Sequence, residues 1–182
     1  GDHDAQRPFL AEFLSGLSQG ASKEGWTLTI AASDSPENTI ETFRSMVADR
    51  KADGFILPRT MRDDPRVHLL RSANIPFVMF GRSDDPTGCA WFDVLGEDAM
   101  QDAVRHLVAL GHQRIGFING GMRYIYAPLR RDGFLTAMAE AGLQAKPEYM
   151  RENAVTIQGG EACAREILAG DTPPTAIVCA ID

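Results

Sequence analysis

The sequence predicts an α/β fold in which parallel strands are flanked by helices. Short, continuous apolar runs alternate with amphipathic stretches along almost the whole chain. A strand that is buried on both faces is apolar at every position, whereas a half-exposed strand alternates between apolar and polar residues. Strands of the first kind, separated by helices, are typical of right-handed crossovers in a parallel sheet.

The clearest unit is a helix followed by a strand in the middle of the chain. Met100, Val104 and Leu107 recur at the spacing of a helix with one buried face. Gly111 follows at the point where a helix ends in a left-handed residue. The run IGFI at 115–118 is then short, apolar and bounded by polar residues. The unit therefore predicts a helix, a tight turn and a buried strand.

Helix-start signals and apolar runs place the remaining elements. Ser35 before Pro36 pairs a capping side chain with a proline in the first turn, and Asp63–Asp64–Pro65 opens a further helix. The predicted helices span 9–21, 36–47, 65–73, 126–142 and 160–168. The predicted strands span 26–32, 55–58, 76–81, 89–92, 149–155 and 176–180. The chain thus opens on a helix and ends directly after a strand, so we expect a piece of a longer protein that lacks the first strand of its sheet.

Composition narrows the class of protein. The 182 residues carry a net charge of −7 and are 44% hydrophobic, which allows a buried core but leaves no basic stripe for direct binding of nucleic acid. No apolar run reaches the length of a membrane span, and the first residues do not resemble a signal peptide. Cys89, Cys163 and Cys179 lack paired spacing, so we expect buried thiols rather than disulfides or a zinc site. These observations indicate a cytoplasmic protein.

Six blocks of the chain form a recognisable series. They are RPFLAEFLSGL at 7–17, ADGFIL at 52–57, ANIPFVMFGR at 73–82, HLVALGHQRIGFINGG at 106–121, RRDGFLTAMAEAGL at 130–143 and PTAIVCAID at 174–182. In this order they resemble the LacI/GalR family of transcriptional regulators. The resemblance implies two Rossmann-like lobes of the type I periplasmic-binding-protein kind, incomplete at both ends. It places the N-terminal lobe at 1–111 and a truncated C-terminal lobe at 112–182.

The resemblance also implies partners. The two lobes would close on a small effector, a sugar or sugar derivative by family precedent, with purines and amino-acid-like ligands left open. Operator DNA would be bound by an N-terminal helix-turn-helix headpiece that is absent from this chain. A homodimer is expected, because two headpieces then match a palindromic operator.

Two polar side chains are assigned to the effector by the resemblance. Arg130 matches the family arginine whose forked guanidinium holds effector oxygens, although it could instead be a surface residue beside Arg131. Asp182 matches an aspartate that accepts hydrogen bonds from a sugar, although it could instead cap a following helix. Both residues follow predicted strands, and ligands of open parallel sheets lie beyond the carboxyl ends of the strands.

Aromatic residues form a second group of candidates. Val155 stands where sugar-binding relatives often carry a stacking Trp or Phe, and valine cannot stack. Phe9 from the first lobe, or Trp91 and Tyr126, could supply the flat surface instead. An aromatic residue at helical spacing is more often part of a core, which favours Phe9 over Phe13.

An acidic contact is expected just before the helix of the central unit. The family aspartate position is Leu95 here. Asp93 lies two residues earlier, on the same side of an extended segment, and could take over the contact, or the contact could be lost. Arg82, just after the strand at 76–81, is an alternative polar contact.

Two other classes of protein stay open. Asn119–Gly120–Gly121 could cradle a phosphate in a nucleotide-dependent enzyme, but the chain carries no dinucleotide-binding, P-loop or nucleophile-elbow motif. His106 and His112 have no partner at metal-ligand spacing. We therefore predict no catalytic residue, no cofactor and no metal site. A stand-alone sugar-binding protein of a transporter would share the fold and the closing motion.

Overall fold

The computed structural model describes residues 8–31, 33, 35–85 and 87–181, with the backbone alone at 8–10, 36 and 37. The chain divides into two compact units, Gly1–Asp53 and Gly54–Asp182. No helix in the described ranges is long and apolar enough to cross a membrane.

The first unit contains two helices in its described part, α1 (Pro8–Lys23) and α2 (Pro36–Ala48). The Ser35 hydroxyl oxygen accepts a hydrogen bond from the Asn38 N–H at 3.1 Å, which confirms the predicted start of α2. The prediction of a strand over 26–32 is wrong for residues 26–31, which are irregular, and Trp26 is 62% exposed. Residues prone to strand formation need a neighbour to pair with, and the described part of this unit contains no strand.

The second unit begins with a parallel sheet of three strands in the order β1-β2-β3. The strands are β1 (Phe55–Pro58), β2 (Phe77–Phe80) and β3 (Ala90–Phe92), and helix α3 (Pro65–Ser72) connects the first two. In the register, Ile56 lies opposite Val78, and Phe80 lies opposite Phe92. All three predicted strands are therefore confirmed to within one residue at each end.

A second parallel sheet has the order β5-β4-β6. Its strands are β4 (Ile115–Ile118), β5 (Met150–Arg151) and β6 (Ala176–Cys179), and its helices are α4 (Gly96–Ala109), α5 (Tyr126–Glu140) and α6 (Ile157–Leu168). Central strand β4 is buried at all four positions, as the apolar run predicted. Gly111 has φ of 90° and ends α4 as predicted. Two purely parallel sheets flanked by helices confirm the predicted α/β class.

The larger core of this unit lies between β4, β6, α4 and α5. The rings of Phe117 on β4 and Phe134 on α5 stack with centroids 4.5 Å apart. Val104 of α4 is fully buried in the same core. Helix α4 thus packs with the second sheet, although the expected lobe boundary near residue 111 assigns it to the first lobe. That boundary stays a prediction.

A buried ion pair holds the loop that follows β1. Asp64 and Arg66 have side chains only 3% and 10% exposed, and Arg66 Nη2 lies 2.7 Å from Asp64 Oδ2. Arg66 also donates to the carbonyl oxygens of Pro58 and Arg59, at 3.1 and 3.2 Å. Burial raises the pKa of the Asp64 carboxyl, but the hydrogen bonds and charge of Arg66 outweigh burial and leave that pKa below its ordinary value.

The cysteines differ from expectation. Cys179 is exposed, and Cys89 and Cys163 are only half-buried, whereas burial was predicted for all three. Cys179 ends β6, which pairs on one side with β4 and forms an edge of the described sheet. An edge strand has fewer neighbours to cover its side chains, so the expected burial of this thiol is wrong.

Candidate functional site

A recess lies beside the carboxyl ends of the strands within the second unit, where parallel α/β proteins bind ligands. It is lined by Arg82, Asp93, Val94, Gly96, Glu97, Tyr126, Leu129 and Arg130. These residues come from the loops after β2 and β3, the start of α4 and the first turns of α5. The cavity volume is about 10 Å³, close to the space of one water molecule. In this conformation the recess is therefore much smaller than a sugar.

The arginine that follows β2 holds two carboxylates together. Both terminal nitrogens of Arg82 donate to the carboxylate of Glu97, at 2.7 and 2.6 Å, and its Nε donates to Asp93 Oδ2 at 2.8 Å. The hydrogen bonds from Arg82 lower the pKa of Glu97, against the opposing effect of burial. The hydrogen bonds from Glu97 raise the pKa of Arg82, again against burial. This cluster places two carboxylate side chains at the wall of the recess.

The second wall is built around the guanidinium of Arg130. Its Nη1 donates to the carbonyl oxygen of Ala180, which follows β6. Its Cζ lies 5.0 Å from the centroid of the Tyr126 ring, a cation–π geometry. A Cβ atom at position 96 would lie 2.8 Å from the Nε of Arg130. Glycine at position 96 thus makes room for this arginine.

The ring of Tyr124 lies next to the ring of Tyr126. The rings of Tyr124 and Tyr126 stack with centroids 5.7 Å apart and planes 10° apart. The Cζ atoms of Arg59 and Arg123 lie 5.1 and 4.8 Å from the centroid of the Tyr124 ring. Two stacked rings and several guanidinium groups therefore lie next to one another.

The structure brings four of the predicted ligand-binding residues together. Arg82, Asp93, Tyr126 and Arg130 all line the recess. Asp93 lines the recess, whereas Leu95, at the position of the family aspartate, is exposed and does not line it. That these side chains bind an effector stays a prediction.

The other four candidates do not line the recess or lie outside the described part. Trp91 lies in the middle of β3 and is 46% exposed, and Val155 is also exposed. Neither of them is among the residues that line the recess. The side chain of Phe9 and the whole of Asp182 fall outside the described residues.

Sequence reasoning missed four of the residues that line the recess: Val94, Gly96, Glu97 and Leu129. Glu97 lies in the first turn of α4, where the helix dipole favours an acidic side chain, and this was an available signal. Its pairing with Arg82 depends on how β3 leads into α4, which no local pattern encodes. The role of Gly96 depends on the approach of a side chain from another helix.

The segment Asn119–Gly120–Gly121 after β4, considered above as a phosphate cradle, already uses polar groups in hydrogen bonds within the protein. The Asn119 side chain is fully buried and donates to the Ala127 carbonyl oxygen at 3.0 Å. The N–H of Gly120 donates to the Asn119 side-chain oxygen at 2.9 Å. A phosphate could not use that N–H without breaking an existing hydrogen bond. The geometry thus weakens the case for a nucleotide-dependent enzyme.

Two parallel sheets are flanked by helices, and polar and aromatic side chains converge beside the ends of their strands. This arrangement is typical of α/β proteins that bind small molecules. A family model described as periplasmic binding proteins and sugar binding domain of LacI family matches residues 3–182. The chain belongs to this family, which confirms the resemblance found in the sequence blocks.

Individual relatives agree with this placement. The transcriptional regulator AglR of Rhizobium meliloti is 34% identical over 93% of this chain and 48% of its own length. The regulator RafR of Escherichia coli is 34% identical over 75% of this chain and 40% of its own length. The crystal structure of a regulatory protein of LacI family from Chloroflexus aggregans superposes with a TM-score of 0.82 at 30% identity, covering 95% of this chain and 62% of that one. The chain thus spans about half the length or less of these two curated relatives.

Proposed function

We propose that this chain is the effector-sensing part of a transcriptional regulator that binds a sugar or sugar derivative between two lobes. The observation that carries the proposal is the convergence of Arg130, Tyr126 and the Arg82 cluster beside the strand ends. Guanidinium donors, carboxylate acceptors and an aromatic face are the groups that recognise the hydroxyls and the flat faces of a sugar. Family membership and regulators among the relatives support the same reading.

Effector binding then shifts an equilibrium between conformations. The recess has room for about one water molecule in the present conformation, so a sugar needs a wider opening between the two sheets. A ligand that prefers one arrangement of the lobes shifts the population toward it by its differential affinity. Asp182 and Phe9 would add an acceptor and a ring from their predicted positions.

The readout would be a change in operator affinity. With a net charge of −7, this chain is poorly suited to contact DNA itself, so the contact is assigned to a helix-turn-helix headpiece. In a homodimer, rearranged lobes would alter the spacing of two headpieces on a palindromic operator. We place the protein in the cytoplasm and assign it no enzymatic activity and no cofactor. The described residues contain no cluster of potential metal ligands.

The alternative is a stand-alone sugar-binding protein of a transporter. The family description includes periplasmic binding proteins, so the fold is common to both functions. The names of the curated relatives favour the regulator. Specific binding of operator DNA by the full-length protein, including the proposed headpiece, with an affinity that changes on adding the effector, would separate the two functions.

Arg130→Ala is expected to weaken effector binding by roughly tenfold or more. The reason is the loss of hydrogen bonds from a charged donor, each of which contributes about 1.5–3 kcal/mol. Affinity is measured by thermal shift and calorimetry of the full chain against sugars, sugar acids, polyols and nucleobases, since stabilisation grows with ligand excess over the dissociation constant.

Arg131→Ala is the matched control for this experiment. Arg131 is the neighbour of Arg130 on α5 and pairs with Glu152 at 3.1 Å, and it does not line the recess. It should bind the effector like wild type. Equal binding by Arg130→Ala and wild type would remove Arg130 from the site, and the absence of any ligand in the panel would count against the proposed function.

A further inference from the structure

Two arginines beside the recess share one aromatic ring. Arg59 follows β1, and Arg123 precedes α5, yet both guanidinium groups lie about 5 Å from the centroid of the Tyr124 ring. Their two positive charges are therefore no more than about 10 Å apart. We call Arg59, Arg123 and Tyr124 the arginine–tyrosine rim.

Neither arginine of the rim is neutralised within the described residues. No carboxylate oxygen there lies within 4.0 Å of the guanidinium of Arg59 or Arg123. By contrast, the arginines nearby in the chain are paired: Arg62 with Asp84, Arg66 with Asp64, and Arg82 with Asp93 and Glu97. In a chain of net charge −7, two adjacent cations without an acidic partner form a local positive site.

Backbone contacts hold the rim in place. The Ile125 N–H donates to the Thr60 carbonyl oxygen at 3.1 Å, and Met61 and Tyr124 form an antiparallel bridge. Arg59 has φ of 54°, a conformation that costs energy for a residue other than glycine. Its carbonyl oxygen is held by the buried Arg66. These contacts therefore hold Arg59 and Arg123 beside Tyr124 despite the strained backbone of Arg59.

The rim is continuous with the recess. Tyr124 stacks on Tyr126, and Tyr126 lines the recess together with Arg130. A ligand whose body lies against Tyr126 would thus have one end directed along the stacked rings toward Arg59 and Arg123. Forked guanidinium groups bind phosphate and carboxylate oxygens through paired hydrogen bonds.

We propose that the effector carries an anionic group, a phosphate or a carboxylate, which Arg59 and Arg123 bind beside Tyr124. This inference rests on the proposed function, because it assigns the class of ligand that the same cleft takes. The anion would neutralise both arginines. A neutral sugar would leave them unpaired and bind more weakly.

Calorimetry on the full chain tests this with matched sugars. The probes are glucose, glucose 6-phosphate and glucuronate, then trehalose and trehalose 6-phosphate, with inorganic phosphate alone as a further probe. For at least one of these sugars, the anionic form should bind tenfold or more tightly than its neutral counterpart, and its affinity should fall as salt rises. The phosphorylated and carboxylated probes distinguish the two sources of charge.

Two variants test whether a preference for the anionic form of a sugar comes from the arginine–tyrosine rim. Arg59→Gln combined with Arg123→Gln should reduce binding of the anionic form tenfold or more while leaving the neutral form unchanged. Arg165→Gln is the control, since Arg165 is exposed on α6 and pairs only with Glu161 of its own helix among the described residues. Thermal unfolding of each variant checks that it is folded.

The outcomes separate the two proposals. If neutral sugars bind as tightly as anionic ones, or if the double variant keeps the preference, the anionic effector is ruled out while the sugar-sensing function stands. Binding of inorganic phosphate alone, with no sugar form bound, also overturns the inference, because the rim would then hold a free ion. If none of the probes binds, the inference fails, and the wider ligand panel decides the proposed function.

Discussion

Asp64→Ala is expected to lower the free energy of unfolding by about 3–5 kcal/mol. The substitution leaves Arg66 with an uncompensated charge in a site where its side chain is only 10% exposed. It also removes the acceptor for the Met61 N–H, at 3.1 Å, and the cap of α3. Removing one partner of a buried pair is costly because the remaining charge has no water to replace the lost partner.

The measurement is urea denaturation at neutral pH, with Asp84→Ala as the control. Asp84 forms an exposed pair with Arg62 at 3.5 Å. Such pairs contribute at most about 1 kcal/mol, so the control should stay close to wild type. Equal stability of both variants would mean that the Asp64–Arg66 pair is not buried in solution.

The same pair predicts a dependence on pH. The pKa of Asp64 in the folded protein lies below its ordinary value of 3.8. The unfolded chain therefore takes up the proton first as the pH falls, so the pair stabilises the fold fully above about pH 4 and progressively less below it. Wild type should lose stability as the pH falls below 4, and Asp64→Ala should show a shallower loss. Parallel curves for the two proteins would contradict this.

Gly133→Ala is expected to lower the free energy of unfolding by roughly 3 kcal/mol, the upper part of the usual range for an overpacked core. A Cβ atom at position 133 of α5 would lie 2.8 Å from the Cα and carbonyl carbon of Glu97, and nearer still to its carbonyl oxygen. These are backbone atoms of α4, so relief requires the whole helix to move. That movement would also displace the Glu97 carboxylate from Arg82.

Gly160→Ala is the matched control for this substitution. Gly160 lies in α6, and an added Cβ would meet nothing within 4 Å. Alanine is favoured over glycine in a helix by up to about 1 kcal/mol, so this variant should be slightly more stable than wild type. Thermal or urea denaturation of both variants gives the comparison. If Gly133→Ala were as stable as wild type, α4 and α5 would not be in close contact in solution.

Local patterns predicted most of the second unit correctly. The apolar run at 115–118 predicted a buried strand, and Asp64 before Pro65 predicted the start of α3. Both signals act within a few residues, through burial on two faces and through capping of free N–H groups. The run at 26–31 has the same kind of composition but is irregular, because a strand also needs a partner that its own residues do not supply.

The candidate site was predicted in part. Arg82, Asp93, Tyr126 and Arg130 were expected near a ligand, and all four line one recess. Family resemblance and position after a strand were enough to select them. The bidentate pairing of Arg82 with Glu97 was not foreseen, since it depends on two segments that meet only after the chain has folded.

The sequence by itself determined the α/β class, the order of most elements and the family. The reason is that hydrophobic periodicity, helix caps and the blocks that resemble the family all consist of residues that are consecutive or close together in the chain. The tertiary structure alone decided which charges are paired. It joined Arg82 to two carboxylates and left Arg59 and Arg123 beside Tyr124 without one among the described residues. The physical reason is that electrostatic pairing depends on distances of a few ångströms between side chains far apart in the chain, and folding sets those distances.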